Sequence, residues 1–191
     1  MLSVSTKHFT LDEYHRLAEL GFFHEDDPIE LIHGDIIQMA AKGTAHEVCL
    51  TRLNRELIKL IDDQATLRCQ SPIILPPNSE PEPDFSIVRD RSDDYLGQHP
   101  GASDVLLVIE IADSSLDYDQ TVKLKLYAKH GIQHYWIFNL LEHVLEIYYD
   151  SYQSPQVDYG YRVKRTILPD EAIALPQMQD KILHLSKVFP R

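Results

Sequence analysis

The stretch Val105-Leu106-Leu107-Val108-Ile109-Glu110-Ile111-Ala112 decides the fold. Side chains alternate across a strand, so Leu106, Val108 and Ala112 fall on one face and Val105, Leu107, Ile109 and Ile111 on the other. Both sets are apolar, which predicts a central strand covered by helices on both sides. A helical pattern from about Asp119 to His130 follows, stopped by Gly131, and a second apolar strand runs from Tyr135 to Phe138. Strand, helix, strand in that order predicts a parallel crossover. One residue breaks the pattern. An ionised Glu110 inside such a strand costs several kcal/mol unless a cation, a donor or a metal compensates it.

Upstream, Thr10-Leu11-Asp12-Glu13 is a capping box and Gly21 a stop, which predicts a helix from about 11 to 20. Ile29 to Ile32 and Ile36 to Met39 read as a hairpin around His33-Gly34-Asp35. From about Ala45 to Ile61, Leu50, Leu53, Leu57 and Ile61 recur at helical spacing, so a second helix packs on the sheet. Short strands are predicted at Thr66 to Gln70 and Phe85 to Val88, separated by a loop containing Pro72, Pro76, Pro77, Pro81 and Pro83. Downstream, Val144 to Tyr149 and Tyr161 to Ile167 read as antiparallel edge strands, before a short element near Ile182 to Val188. The expected class is α/β: a mixed central sheet flanked by helices, with an N-terminal helix and hairpin. We expect one domain over residues 1–191, with its core at about 10–150 and the C-terminal strands and short terminal element in 151–191.

A chain of 191 residues can bury roughly 70% of its unfolded surface. Hydrophobic residues at 43% and charged residues at 25% are ordinary for a globular protein and too apolar for a disordered one. The longest apolar run, Val105 to Ile111, falls far short of the ~20 residues that span a bilayer. The N-terminal run Met1-Leu2-Ser3-Val4-Ser5-Thr6 lacks the charged and apolar segments of a secretory signal, so a cytoplasmic location is expected. Cys49 and Cys69 are too few for a disulfide framework or a thiolate zinc site and read as small buried hydrophobes. A net charge of -12 repels a polyanion at long range, so any contact with nucleic acid must be local.

Three residues carry the candidate chemistry. Glu110 needs a partner, which is either a metal or an ordinary proton or salt bridge. Asp84 precedes the Phe85 strand; if that strand neighbours the central one, two carboxylates meet at one end of a crevice. Such a pair needs a shared proton or a divalent cation, and Mg²⁺ is the hard-oxygen option. Taken alone, Asp84 reads equally as a turn-initiating aspartate. Lys123 is the third. At about 100° per residue, Leu126, Lys123, Tyr127 and Leu124 share one helical side, while Lys125 and Lys129 project from the other. A lysine in that core-facing stripe either snorkels past Tyr127 or sits in a low-dielectric site, where its pKa can be lowered and where it can donate to a phosphate or help orient attacking water.

Pro83-Asp84, then Glu110-Ile111-Ala112-Asp113-Ser114-Ser115, then Asp119-x-x-x-Lys123-x-x-x-Tyr127-Ala128 and Gly131-Ile132-x-x-Tyr135-Trp136 together resemble the PD-(D/E)XK nuclease superfamily. Within it the chain resembles the large bacterial Uma-two family of restriction-endonuclease-like proteins. The likeness covers roughly Thr10 to Tyr149, including Glu30-Leu31-Ile32-x-Gly34 and His46. It implies that Asp84 and Glu110 bind the metal, with the Ile111 backbone carbonyl as a further ligand. The superfamily lysine lies two residues after the acid, where this chain has Ala112, so the resemblance implies that its role has moved to Lys123. Glu30 matches an acidic position that assists the metal but also reads as a solvated strand residue, and His46 either lines the site or begins a helix. Gln133-His134 departs from the Pro-Glu that the family usually carries before Tyr135-Trp136. Tyr127, Tyr135 and Trp136 read as core packing rather than a base-stacking platform.

The function implied is a Mg²⁺- or Mn²⁺-dependent endonuclease acting on nucleic acid, DNA ahead of RNA. The competing readings are a nuclease fold kept as a binding or regulatory module, and a hydrolase of small phosphodiesters, which a charge of -12 tolerates better. Exposed late strands make a homodimer an expectation. No His-Glu-x-x-His, Gly-rich phosphate loop or Gly-x-Ser-x-Gly elbow occurs.

Overall fold

In the computed structural model, which describes residues 5–24, 27–154 and 158–190, the chain opens with α1 (Leu11–Glu19), the strands β1 (Ile29–Ile32) and β2 (Asp35–Gln38), and α2 (Thr44–Ile61). β3 (Ala65–Cys69), β4 (Phe85–Arg89) and β5 (Val105–Ala112) follow. A helical stretch then runs through α3 (Leu116–Tyr118), a π-helical segment (Asp119–Lys123) and α4 (Leu124–Lys129). β6 (His134–Asn139), β7 (Val144–Gln153), β8 (Tyr159–Ile167), β9 (Ala172–Leu175) and β10 (Met178–His184) complete the order. The first four residues of the N-terminal run read against a secretory signal lie outside the described residues, as do residues 155–157 and 191 of the C-terminal part. No helix among the described residues is long and apolar enough to cross a membrane.

β5 is buried at every position and stands inside a six-stranded mixed sheet of order β3-β4-β5-β6-β7-β8. It pairs antiparallel with β4 and parallel with β6, the crossover expected from the sequence. Leu107, Ile109 and Ile111 face Leu53, Leu57 and Ile61 of α2, together with Leu183, Leu185 and Phe189 near the C-terminus. Val108 and Ala112 face Leu126 and Tyr127 of α4 along with Tyr135 and Ile137. Strict alternation fails at the start of β5. The ladder to β4 slips between Ile87↔Leu107 and Val88↔Val105, and that bulge moves Leu106 to the α2 side and Val105 to the α4 side.

Two further expectations are corrected. β7 is an interior strand between β6 and β8, so only β8 is an edge on that side. The C-terminal region is a hairpin, β9 with β10, rather than one short element. Its two-residue turn is Pro176-Gln177, with Gln177 at φ 61°, and it lacks the glycine or asparagine that usually marks such a turn.

The β1–β2 hairpin turns at His33-Gly34, both at positive φ (53° and 86°). The proline-rich loop pairs with it: the Glu80 N–H donates to the Leu31 carbonyl (2.7 Å) and the Gly34 N–H to the Asn78 carbonyl (2.7 Å). This pairing carries Glu82 and Asp84 alongside Glu30. A Cβ on Gly34 would lie 2.6 Å from His8 Cβ and 2.9 Å from the Phe9 carbonyl oxygen, besides demanding a left-handed backbone of an L-residue. Gly34→Ala is therefore expected to cost about 1–3 kcal/mol, read as a lowered midpoint in urea unfolding.

Candidate active site

The register Phe85↔Ile109 sets Asp84, the residue just before β4, beside Glu110 of β5. Each acid is then held by the backbone next to the other. The Asp84 N–H donates to Glu110 Oε2 (3.3 Å), and the Ile111 N–H donates to Asp84 Oδ2 (2.9 Å). In a strand a residue's N–H and C=O point the same way, so the Ile111 carbonyl also turns to the Asp84 side. His46, in the first turn of α2, bonds Asp84 Oδ2 through Nε2 (3.0 Å), while among the described residues Asp84 Oδ1 has only a long contact from Gln70 Nε2 (3.4 Å).

Lys123 closes the cluster from above. Its Nζ donates to Glu110 Oε1 (3.0 Å) and lies 3.2 Å from Glu30 Oε2; the Tyr127 hydroxyl donates to the same Glu110 Oε1 (2.8 Å). The sequence readings left open for Glu30, His46, Asp84 and Lys123 resolve toward the cavity. Glu30, His46, Asp84, Glu110, Asp119 and Lys123 are each no more than 7% exposed, and all line one cavity of about 290 Å³. Tyr127, Tyr135 and Trp136 are core residues, Tyr127 with the added hydrogen bond to Glu110. Gln133 and His134 are not in the cavity: Gln133 bonds the Gly131 carbonyl and Ser151, and His134 stacks on Tyr149. The departure from Pro-Glu is thus remote from these acids. Cys49 is buried, whereas Cys69 is only half-buried.

Charge follows from burial. Burial first, and then Asp119, Asp84 and Glu30, push the Glu110 carboxyl up to about 8 against the pull of Lys123. Asp119 rises to about 6, again chiefly by burial, although Lys123 and the Ser115 hydroxyl oppose it. For Asp84, burial alone would raise the carboxyl, but His46, the Ile111 N–H and Lys123 bring it below the usual carboxylate range. Burial would likewise lower the Lys123 ammonium. Glu110, Glu30 and Asp119 more than reverse that, and Lys123 is held charged, well above its ordinary value. The lowering that a low-dielectric site can produce does not occur here, because three acids around one amine outweigh its desolvation.

Sequence reasoning did not assign Asp119, 2% exposed and bonded by the Ser115 hydroxyl (2.6 Å). The signal was there: four helical steps of about 100° bring Asp119 to within about 40° of Lys123. Nor did it find the brace behind the π-helical segment. Gln120, between Asp119 and Lys123, donates to both oxygens of the buried Glu146 (2.9 and 3.0 Å), which also accepts from Asn139 (3.0 Å), Tyr148 (2.5 Å) and Lys164 (2.9 Å).

Among the described residues, no three His, Cys, Asp or Glu side chains converge closely enough to hold an ion unaided. Asp84, Glu110 and the Ile111 carbonyl still form a hard-oxygen set. Magnesium-type ions commonly take one or two carboxylates, with waters and substrate phosphate completing the shell. Four buried acids against one lysine leave negative charge for such a cation to offset, so the residues fit it.

The family model described as "Putative restriction endonuclease", Uma2, matches residues 11–177. The chain belongs to the Uma2 family. Among solved structures, it is similar to a protein described as "a putative nuclease belonging to DUF820" from Anabaena variabilis ATCC 29413. The TM-score is 0.68 with 19% identity, over 95% of this chain and 97% of that one. At that identity the likeness bears on the fold, a restriction-endonuclease-like mixed sheet flanked by helices. No curated protein matches the chain.

The Glu146 brace yields a pH-dependent outcome. Burial alone would raise its carboxyl, but hydrogen bonds from Tyr148, Lys164, Asn139 and Gln120 outweigh it and lower the folded-state value. A lowered carboxylate contributes stability above the unfolded value near 4.3 and loses it as pH falls through the folded one. Glu146→Gln is expected to destabilise by about 1.5–3 kcal/mol at pH 7. The gap to wild type should close below about pH 4.3, as measured by urea unfolding across pH 3 to 7.

Proposed function

We propose that the protein is a Mg²⁺- or Mn²⁺-dependent endonuclease that hydrolyses phosphodiester bonds in nucleic acid, with DNA the preferred polymer. The observation that carries this reading is the mutual clasp of Asp84 and Glu110 beneath a buried, charged Lys123. Membership of a restriction-endonuclease-like family supports it independently.

In this reading, Asp84, Glu110 and the Ile111 carbonyl hold the ion. When bound, it supplies Lewis-acid polarisation of the phosphate and a lowered pKa for attacking water. The other residues place those ligands. His46 and the Ile111 N–H fix one oxygen of Asp84, leaving the other weakly bound. Tyr127 and Lys123 fix Glu110, and Lys123, tethered also to Glu30, presents a permanent positive charge where negative charge grows on the phosphate. The unit carrying this chemistry is one domain. β3 and β8 end the sheet, and edge pairing there is the route to a homodimer.

The Lys123 ammonium already spans Glu110 and Glu30, which favours one alternative: a fold whose internal cation stands in for the metal, kept as a binding module.

Nicking of supercoiled plasmid in Mg²⁺ or Mn²⁺ separates the two readings. Asp84→Ala and Lys123→Ala are each expected to slow wild-type cleavage by about 100-fold or more. Cleavage no faster in the wild type than in these variants removes the enzyme reading. Calorimetric Mn²⁺ binding that is lost in Glu110→Gln supports the metal assignment, and wild-type protein that binds no Mn²⁺ at millimolar concentration favours the module.

A further inference from the structure

Asp84, Glu110 and Lys123 are between 4% and 7% exposed, so the candidate chemistry lies at the floor of its cavity. Two walls rise from that floor. Residues 37–43 lead from the end of β2 into α2, and residues 113–115 leave the end of β5; the exposed positions of the lining, Gln38, Ala40 to Gly43 and Ser114, belong to these two segments. The walls come together at one point, where an ideal Cβ on Gly43 would lie 3.2 Å from Asp113 Oδ2. The Met39 N–H donates to the Pro28 carbonyl (2.7 Å), which ties the first wall to the β1–β2 hairpin. The space they enclose is about 290 Å³. Pockets for small molecules run from roughly 300 to 1,000 Å³, so this one takes about one nucleotide unit of a polymer.

A base-paired duplex is poorly suited to such a pit. It is stiff over about 150 base pairs, and each phosphate rides on a rod that the walls stop short of the floor. Charge points the same way. A duplex carries one negative charge per about 1.7 Å of axis, twice that of either strand alone, and meets a protein of net charge -12. Two lysines line the cavity, and Lys123 is already committed to Glu110 and Glu30, which leaves Lys42 for the substrate backbone. An unpaired strand differs on each count. It bends sharply, holds fewer phosphates near the rim, and can turn a base out of its stack into a pocket. Ile37, Met39, Ala40 and Ala41 line the first wall, and this apolar surface plays no part in holding a metal ion.

We propose that the substrate is unpaired nucleic acid, either a single strand or a bubble within a duplex. One nucleotide enters the cavity with its phosphate toward Asp84 and Glu110 and its base or sugar against the Ile37 to Ala41 wall. The proposal rests on the phosphodiesterase reading and narrows it, because a perfect duplex has to be opened before its phosphate can reach the acids.

The test compares cleavage by the full chain in Mn²⁺ of a labelled single strand, the same strand in a perfect duplex, and that duplex with a central unpaired bubble. The single strand and the bubble are expected to be cut about 30-fold or more faster than the perfect duplex, reflecting the cost of unpairing and unstacking a nucleotide. Binding is read separately by fluorescence anisotropy on phosphorothioate-linked versions, which resist hydrolysis, and the same order is expected. Ala40→Glu places a charge on the apolar wall at an exposed position. It is expected to weaken single-strand binding about fivefold with an unchanged melting temperature. Met39→Ser removes apolar surface from the same wall and is expected to weaken it about three- to tenfold.

The proposal is overturned if the perfect duplex is cut or bound as well as the single strand, or if wild-type protein binds neither. It is also overturned if Ala40→Glu and Met39→Ser both bind the single strand as tightly as wild type. Failure of the enzyme reading looks different. An inactive wild-type protein that binds the single strand in preference to the duplex, and loses that preference in the wall variants, keeps the unpaired ligand and loses the hydrolysis. A nuclease that cuts all three substrates at one rate keeps the hydrolysis and loses the preference.

Discussion

Everything at this end of the sheet depends on keeping one carboxylate, Glu110, inside a strand that is apolar on both faces. Its oxygens are satisfied by the Lys123 ammonium, the Tyr127 hydroxyl and the Asp84 N–H, so no part of the group is left without a donor. Buried ion pairs of this kind are weak contributors to stability, because the desolvation of both charges offsets most of their attraction. Well-packed apolar side chains at positions 110 and 123 would serve the fold at least as well. Stability alone therefore does not account for an acid and an amine at these two positions.

Meeting that requirement takes segments far apart in sequence. The proline-rich loop runs against the β1–β2 hairpin by backbone hydrogen bonds, which carries Glu82 and Asp84 toward Glu30, and β4 then fixes Asp84 against Glu110 through its ladder with β5. The helix following β5 widens into π geometry over Asp119–Lys123, the five residues that hold both of its buried charges. Such insertions recur at functional sites, since they re-aim side chains without ending the helix. Here the widened turn is braced from behind by Gln120 on Glu146 and by the Tyr135 hydroxyl on the Asp119 carbonyl (3.1 Å). Rigid support of this sort lets Lys123 sit between two carboxylates in a defined position.

Much of this was legible in the sequence because it rests on local periodicity. The two-sided apolar run at 105–112 identified a central strand, the capping box at Thr10 fixed the start of α1, and the helical stripe singled out Lys123 from its neighbours Lys125 and Lys129. What escaped was non-local. The bulge that exchanges Val105 and Leu106 is imposed by the partner strand β4, and the interior position of β7 depends on β8 folding back over it. The Pro176-Gln177 turn carries no residue that advertises a hairpin. The sign of the Lys123 shift escaped for the same reason: one helix shows a lysine entering a low-dielectric region, and only the tertiary structure shows the carboxylates that await it.

The net charge of -12 appears at first to argue against a nucleic-acid enzyme, yet its reach is limited. At physiological salt, fields between exposed charges fade over about 8 Å, so the surface acids govern encounter more than contact. Inside the cavity the groups themselves decide. Four buried acids and one buried lysine line it, and burial first, then Asp119, Asp84 and Glu30, lifts Glu110 to about 8, so the site is short of positive charge. Either a proton or a metal ion must make up that deficit. In the metal-binding reading proposed above, a divalent cation would do so while leaving Glu110 ionised.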